Sequence, residues 1–105
     1  MTRHIPTDIL FDDEAFREYL KTDWLIKAML QLEGTRKSVG LSQKGLAARL
    51  DTTQSAISRA ENDLDGSISL RCYAEWLFAC GSVPTVVETK PLDAIRQDYI
   101  ADCIG

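Results

Sequence analysis

Residues 41–62 read LSQKGLAARLDTTQSAISRAEN, a stretch whose pattern fits two short helices joined by a tight turn. Over residues 41–50, Leu46, Ala47 and Leu50 fall on one side of a first helix that Ser42 opens, because side chains three and four apart share a helical face. Asp51-Thr52-Thr53 supplies the turn, and Asp accepts a left-handed backbone better than most residues, though less readily than Gly. Over residues 54–61 a second helix turns Ile57 and Ala60 inward. Ala47 is small enough to let that helix approach closely, and Leu46, Leu50 and Ile57 hold the two together. The outward face of the second helix carries Thr53, Gln54, Ser55, Ser58, Arg59 and Asn62, with no large apolar side chain.

Upstream of this pair, Asp12-Asp13-Glu14 places acids at a helix N-terminus, after a lead-in over residues 1–10 that contains Pro6. Phe16, Leu20 and Trp24 continue that helix, which runs on or restarts through Leu25, Met29 and Leu32 until Gly34 and Gly40 weaken its end. Downstream, residues 62–67 form a loop, and Leu70, Tyr73, Ala74 and Leu77 mark a helix that ends before Gly81. Val83-Pro84-Thr85-Val86-Val87-Glu88 is rich in β-branched residues and short, which predicts a strand at an edge or strand start, where Pro84 has no ladder bond to donate. Pro91 opens a final helix with Leu92, Ile95, Tyr99, Ile100 and Cys103 on one face. The expected organisation is a lead-in and helix over residues 1–23, a compact domain over 24–81, and a dimerisation or partner-binding segment over 82–105.

A chain of 105 residues with 45% hydrophobic content is sized for one cored domain with modest appendages. It has no apolar run near the 18 or so residues of a membrane span, and its first residues lack the apolar stretch of a secretory signal, so a cytoplasmic location is expected. Cys72, Cys80 and Cys103 show no Cys-x-x-Cys spacing and read as reduced thiols, not as a disulfide framework or metal site. The single histidine, His4, sits in the tail, and no cysteine or serine lies in a nucleophile context, so no catalytic residues, metal or cofactor are expected. The net charge of −4 is unevenly spread. Residues 34–71 hold six Lys/Arg against four Asp/Glu, net +2, whereas residues 1–33 and 72–105 each carry −3. A local positive face is what attraction to a phosphate backbone requires.

The stretch resembles the Cro/Xre-type helix-turn-helix, in which the family pattern runs roughly LTQ-x-x-LA-x-x-LG, then [ST]-Q-x-x-IS-x-x-EN. Here it reads Leu41-Ser42-Gln43, Leu46-Ala47, Leu50-Asp51, Thr53-Gln54, Ile57-Ser58 and Glu61-Asn62. The resemblance implies a mostly α fold, a five-helix lambda-repressor-like domain, to which the residues themselves add the short C-terminal strand and terminal helix. It implies double-stranded DNA as partner, since a helix braced across a short turn can lie in the major groove. It puts Gln54, Ser55 and Arg59 toward base edges, where Gln pairs with adenine and Arg with guanine. It puts Ser42, Gln43, Lys44, Thr53, Ser58 and Asn62 toward phosphates, and pairs Arg36 with Glu61 as a buried tie between the first helix and the second helix of the motif. The chain departs from the pattern at Asp51, where Gly is usual, and at Asp63 and Asp65, whose charges beside the phosphate path weaken nonspecific binding.

Leu70-Arg71-Cys72-Tyr73-Ala74 before a Val-rich segment also resembles HigA-type antitoxins, which would add a cognate toxin and repression of its own operon. A bacterial or phage repressor without a toxin, and a protein-binding inhibitor with weak DNA binding, remain open beside it. Leu46, Ala47, Ile57 and Leu70 read as core. Trp24, Trp76 and Phe78 fit either a broadly buried helix or a subunit surface, because Trp76, Leu77 and Phe78 cannot share one narrow stripe. Recognition of an inverted repeat by a homodimer is expected, with the strand pairing to its symmetry mate and the last helix covering it.

Overall fold

The computed structural model describes residues 5–63, 65–85 and 88–104, the side chains of the last two excepted. Among the described residues there are six helices: α1 (Thr7–Leu10), α2 (Asp13–Ser38), α3 (Gln43–Arg49), α4 (Gln54–Glu61), α5 (Leu70–Ala79) and α6 (Leu92–Ile104). The described residues divide into two compact units, one drawn from residues 1–21 and 86–105 and the other from residues 22–85.

No strand occurs among the described residues, which corrects the expectation at Val83-Pro84-Thr85-Val86-Val87-Glu88. Residues 82–85 and 88–90 are irregular, and Val86 and Val87 lie outside the described residues. β-Branched residues favour a strand only when a neighbouring edge offers a pleated surface and hydrogen bonds, and the remaining described segments are helical or looped. His4 and Leu64 also lie outside the described residues, as does the side chain of Cys103. The lead-in contributes a short helix, α1, where only a tail was expected, and α2 runs unbroken through Gly34, where a Cβ would meet nothing within 4 Å.

The helix ends follow from local chemistry. Asp12 accepts from Ala15 N at 2.9 Å and opens α2. Ser42, Thr53 and Ser69 each accept from the backbone N–H three residues on and open α3, α4 and α5. α2 closes at Gly40, φ +74, with Leu41 N donating to Arg36 O and Gly40 N to Lys37 O, the paired bonds that let a left-handed residue end a helix. α3 ends the same way at Asp51, φ 54, the sole described non-glycine residue with positive φ, with Thr52 N donating to Ala47 O.

The core of the unit spanning residues 22–85 gathers Met29 and Leu32 from α2, Leu46 and Ala47 from α3, Ile57 from α4, and Trp76, Leu77 and Cys80 from α5 and its end. Trp76 is buried and its indole Nε1 donates to Leu32 O at 3.1 Å, so the largest side chain of this core leaves no donor unpaired. Arg49 Nη1 reaches Ala79 O at 2.8 Å and occupies a terminal carbonyl of α5. Leu70 departs from the core reading: as the first residue of α5 it is 82% exposed. Trp76 and Leu77 are core while Phe78 and Trp24 are exposed, as the helical period requires.

The other unit packs Ile5, Leu10, Phe16 and Tyr99 into a small core. Tyr99 meets Phe16 and Tyr19 edge-on, with centroids 5.6 and 6.3 Å away. Arg96 lies 5.3 Å from the Phe16 ring centroid, donates to Leu10 O at 2.8 Å, and pairs with Asp13 and Asp93. One guanidinium thus ties α6 to α1 and to the start of α2. Among the described residues no helix is long and apolar enough to cross a membrane.

Candidate nucleic-acid interface

α4 carries the site because its inward residues leave its outward ones no choice. Ile57 is 2% exposed in the core, which turns Gln54, Ser55 and Arg59 to solvent and leaves Ser58 half-buried. With Gln43 from the start of α3, Gln54, Ser55, Ser58 and Arg59 line one open groove of about 390 Å³. Arg59 Nε lies 3.5 Å from Ser55 O, and its terminal nitrogens have no partner among the described residues. Lys44 is exposed one residue beyond Gln43 and does not line the groove.

Three side chains fix α4 beneath this face. Arg36 Nε donates to Glu61 Oε2 at 2.6 Å and Arg36 Nη2 to Glu61 Oε1 at 3.1 Å. Gln43 Nε2 donates to the same Oε1 at 2.9 Å, and Arg36 Nη1 donates to Leu41 O at 2.7 Å. The junction therefore joins α2, the connection to α3, α3 itself and α4. Burial pushes the Glu61 carboxyl up, but hydrogen bonds from Arg36 and Gln43 and the charges of Arg36 and Lys37 outweigh it and hold the group below its ordinary value. The Glu61 hydrogen bond in turn holds Arg36 more firmly protonated. A buried pair so fully hydrogen-bonded sets geometry more than it adds stability.

Several polar residues expected at phosphates also have work inside the protein. Ser42 and Thr53 accept from Gly45 N and Ala56 N at 2.9 and 3.1 Å, which leaves each hydroxyl proton free to donate outward. Asn62 Nδ2 donates to Ser58 O at 2.9 Å at the end of α4. The sequence places Gln43 at a phosphate and does not show its bond to Glu61. The missed contact joins residues 18 apart, and only the packing of α3 on α4 creates it. Beyond α4, Asp63 accepts from Ser67 and from Asp65 N, which holds its carboxyl below the usual carboxylate range. A negative charge thus stays at the exit of the motif.

Residues 32–71 match the helix-turn-helix family model. The matched segment contains the end of α2, all of α3 and α4, and the first residues of α5, so the groove and the buried junction both fall within it. The helix-turn-helix match supports the Cro/Xre resemblance of the motif, and with it DNA binding and transcription regulation as the work of this segment. The HigA-type resemblance lies outside what the match supports. Comparison with curated proteins and with solved structures returns no match.

Proposed function

We propose that the protein is a sequence-specific transcription repressor that reads an inverted-repeat operator as a homodimer in the cytoplasm. The observation that carries this reading is the exposed polar face of α4, held by the buried Arg36–Glu61–Gln43 junction. Gln54 and Arg59 are the principal base readers and Ser55 a shorter one. Lys44, Ser58 and the outward-facing hydrogens of Ser42, Gln43, Thr53 and Asn62 position the duplex through phosphates. Selection of bound duplexes from a random library tests the proposal. A recovered inverted repeat supports it, and recovery of unrelated sequences with uniform affinity overturns it.

A second reading, an antitoxin that also represses its own operon, draws on the unit outside the helix-turn-helix match. The two terminal stretches that form it, 1–21 and 86–105, hold nine Asp/Glu against five Lys/Arg, a balance suited to a basic protein partner. Co-expression with the product of an adjacent small basic open reading frame tests it, with relief of growth arrest and co-purification as the expected result. A repressor that recovers an operator but relieves no arrest is the plain regulator.

A further inference from the structure

α5 meets two environments. Trp76 and Leu77 are buried, with Tyr73 packed beside them. On another face Leu70, Ala74 and Phe78 recur four residues apart and form one ridge along the helix. Leu70 is 82% exposed and Phe78 58%, with half-buried Ala74 between them. Single exposed apolar residues are common, but two large ones on one ridge make a patch. Beside this ridge runs a second row, Arg71 and Glu75, both exposed. Neither side chain has a hydrogen bond or ion pair with another described residue.

We propose that this ridge is the surface through which two copies of the chain pair, α5 against α5 in antiparallel array across a twofold axis. Charge selects both the occupant and its direction. In an antiparallel pair the row beside the ridge meets its own copy reversed, so Arg71 of each copy faces Glu75 of the other, twice over. A parallel pair would carry the two rows to opposite sides of the seam and leave both charges without a partner. The midpoint of Arg71 and Glu75 is the level of Tyr73, and that of Leu70 and Phe78 is Ala74. These levels are about 1.5 Å apart along the helix, so one axis serves both sets of contacts. Two ridges of this length fall short of the roughly 800 Å² per partner of a standard stable interface. The dimer is therefore expected to be weak without DNA, with a dissociation constant on the order of tens of micromolar. Its role rests on the operator reading, in which two copies bound to adjacent half-sites need only a modest contact to act together.

Sedimentation equilibrium of the full chain without DNA tests the pairing, using wild type, Phe78→Glu, Arg71→Glu, Glu75→Arg and the double reversal. All three positions are exposed in the single chain, so circular dichroism should be unchanged. The expected result is a monomer–dimer equilibrium for wild type and a monomer for Phe78→Glu. Each single reversal should raise the dissociation constant by roughly tenfold, and the double reversal should restore it. A wild-type monomer at every concentration, or a Phe78→Glu chain that pairs like wild type, overturns the proposal. A double reversal as weak as the singles overturns its antiparallel direction. Operator selection is a separate readout, so a chain that pairs but recovers no operator keeps this surface and sinks the repressor reading.

Discussion

Glu61 accepts from Arg36 on α2 and from Gln43 on α3 while Gln54 and Arg59 stand on its own helix, so one carboxylate sets the pose of the reading face. Arg59→Ala and Gln54→Ala touch only that face, and each should weaken operator binding by roughly 1–3 kcal/mol, as loss of a bidentate base contact does. Electrophoretic titration with a circular dichroism control checks this, and unchanged binding removes the residue from the reading set. Glu61→Ala leaves Arg36 buried and uncompensated and should cost about 3–5 kcal/mol of stability. A double-mutant cycle with Arg36→Ala should show strong coupling, and additivity would mean the pair does not act as a unit. Acid should act on the same group. Because the folded Glu61 carboxyl titrates below its ordinary value of about 4.5, the unfolded chain binds the proton first as pH falls. The stability it contributes is therefore present above that value and lost below it, as the folded carboxyl titrates. In urea melts, the advantage of wild type over Glu61→Gln should be steady from pH 7 to about 5 and shrink on further acidification.

At the scale of elements, what was legible in the sequence depended on how local the deciding interaction is. α3 and α4 could be read to within about two residues because Ser42 and Thr53 cap them and Leu46, Ala47 and Ile57 mark their faces. Thr53→Ala removes the acceptor for Ala56 N and should cost about 1 kcal/mol by thermal melting. The expected strand is absent among the described residues because β-branched residues state a preference that only a neighbouring edge can fulfil. Leu70 departs from the core expectation because its apolar side chain sits at the first position of α5, outside the buried stripe. The clustering of Gln43 with Gln54, Ser55, Ser58 and Arg59 needed tertiary packing to be seen. The loop before α5 holds another constraint of that kind: Gly66 has φ +65, and a Cβ there would lie 2.7 Å from Leu25 Cδ2. Gly66→Ala should destabilise by more than about 1 kcal/mol, through strain and a displaced Leu25. An unchanged denaturation midpoint would show that the loop relaxes freely.

At the scale of the whole molecule, the helix-turn-helix within residues 22–85 shows in the sequence because its two helices are neighbours along the chain, whereas the other unit rests on pairs such as Arg96 with Leu10, 86 residues apart. No periodicity announces a contact of that span. Arg96→Ala removes the ties to Leu10, Asp13 and Asp93 together, and amide exchange should accelerate in α1 and α6 while α3 and α4 keep their protection. Loss of protection in all four helices would make the chain one cooperative block. The same closure from both ends has a consequence for biosynthesis. A ribosome adds about 5–20 residues per second, so Ile5, Leu10 and Phe16 wait several seconds for Tyr99 to be made. Residues 22–85 hold every side chain of their own core, whereas the terminal core is incomplete without Tyr99. A message cut short after α5 would therefore yield a chain whose reading helix is in place and whose first twenty residues bare their apolar side chains, a ready mark for degradation.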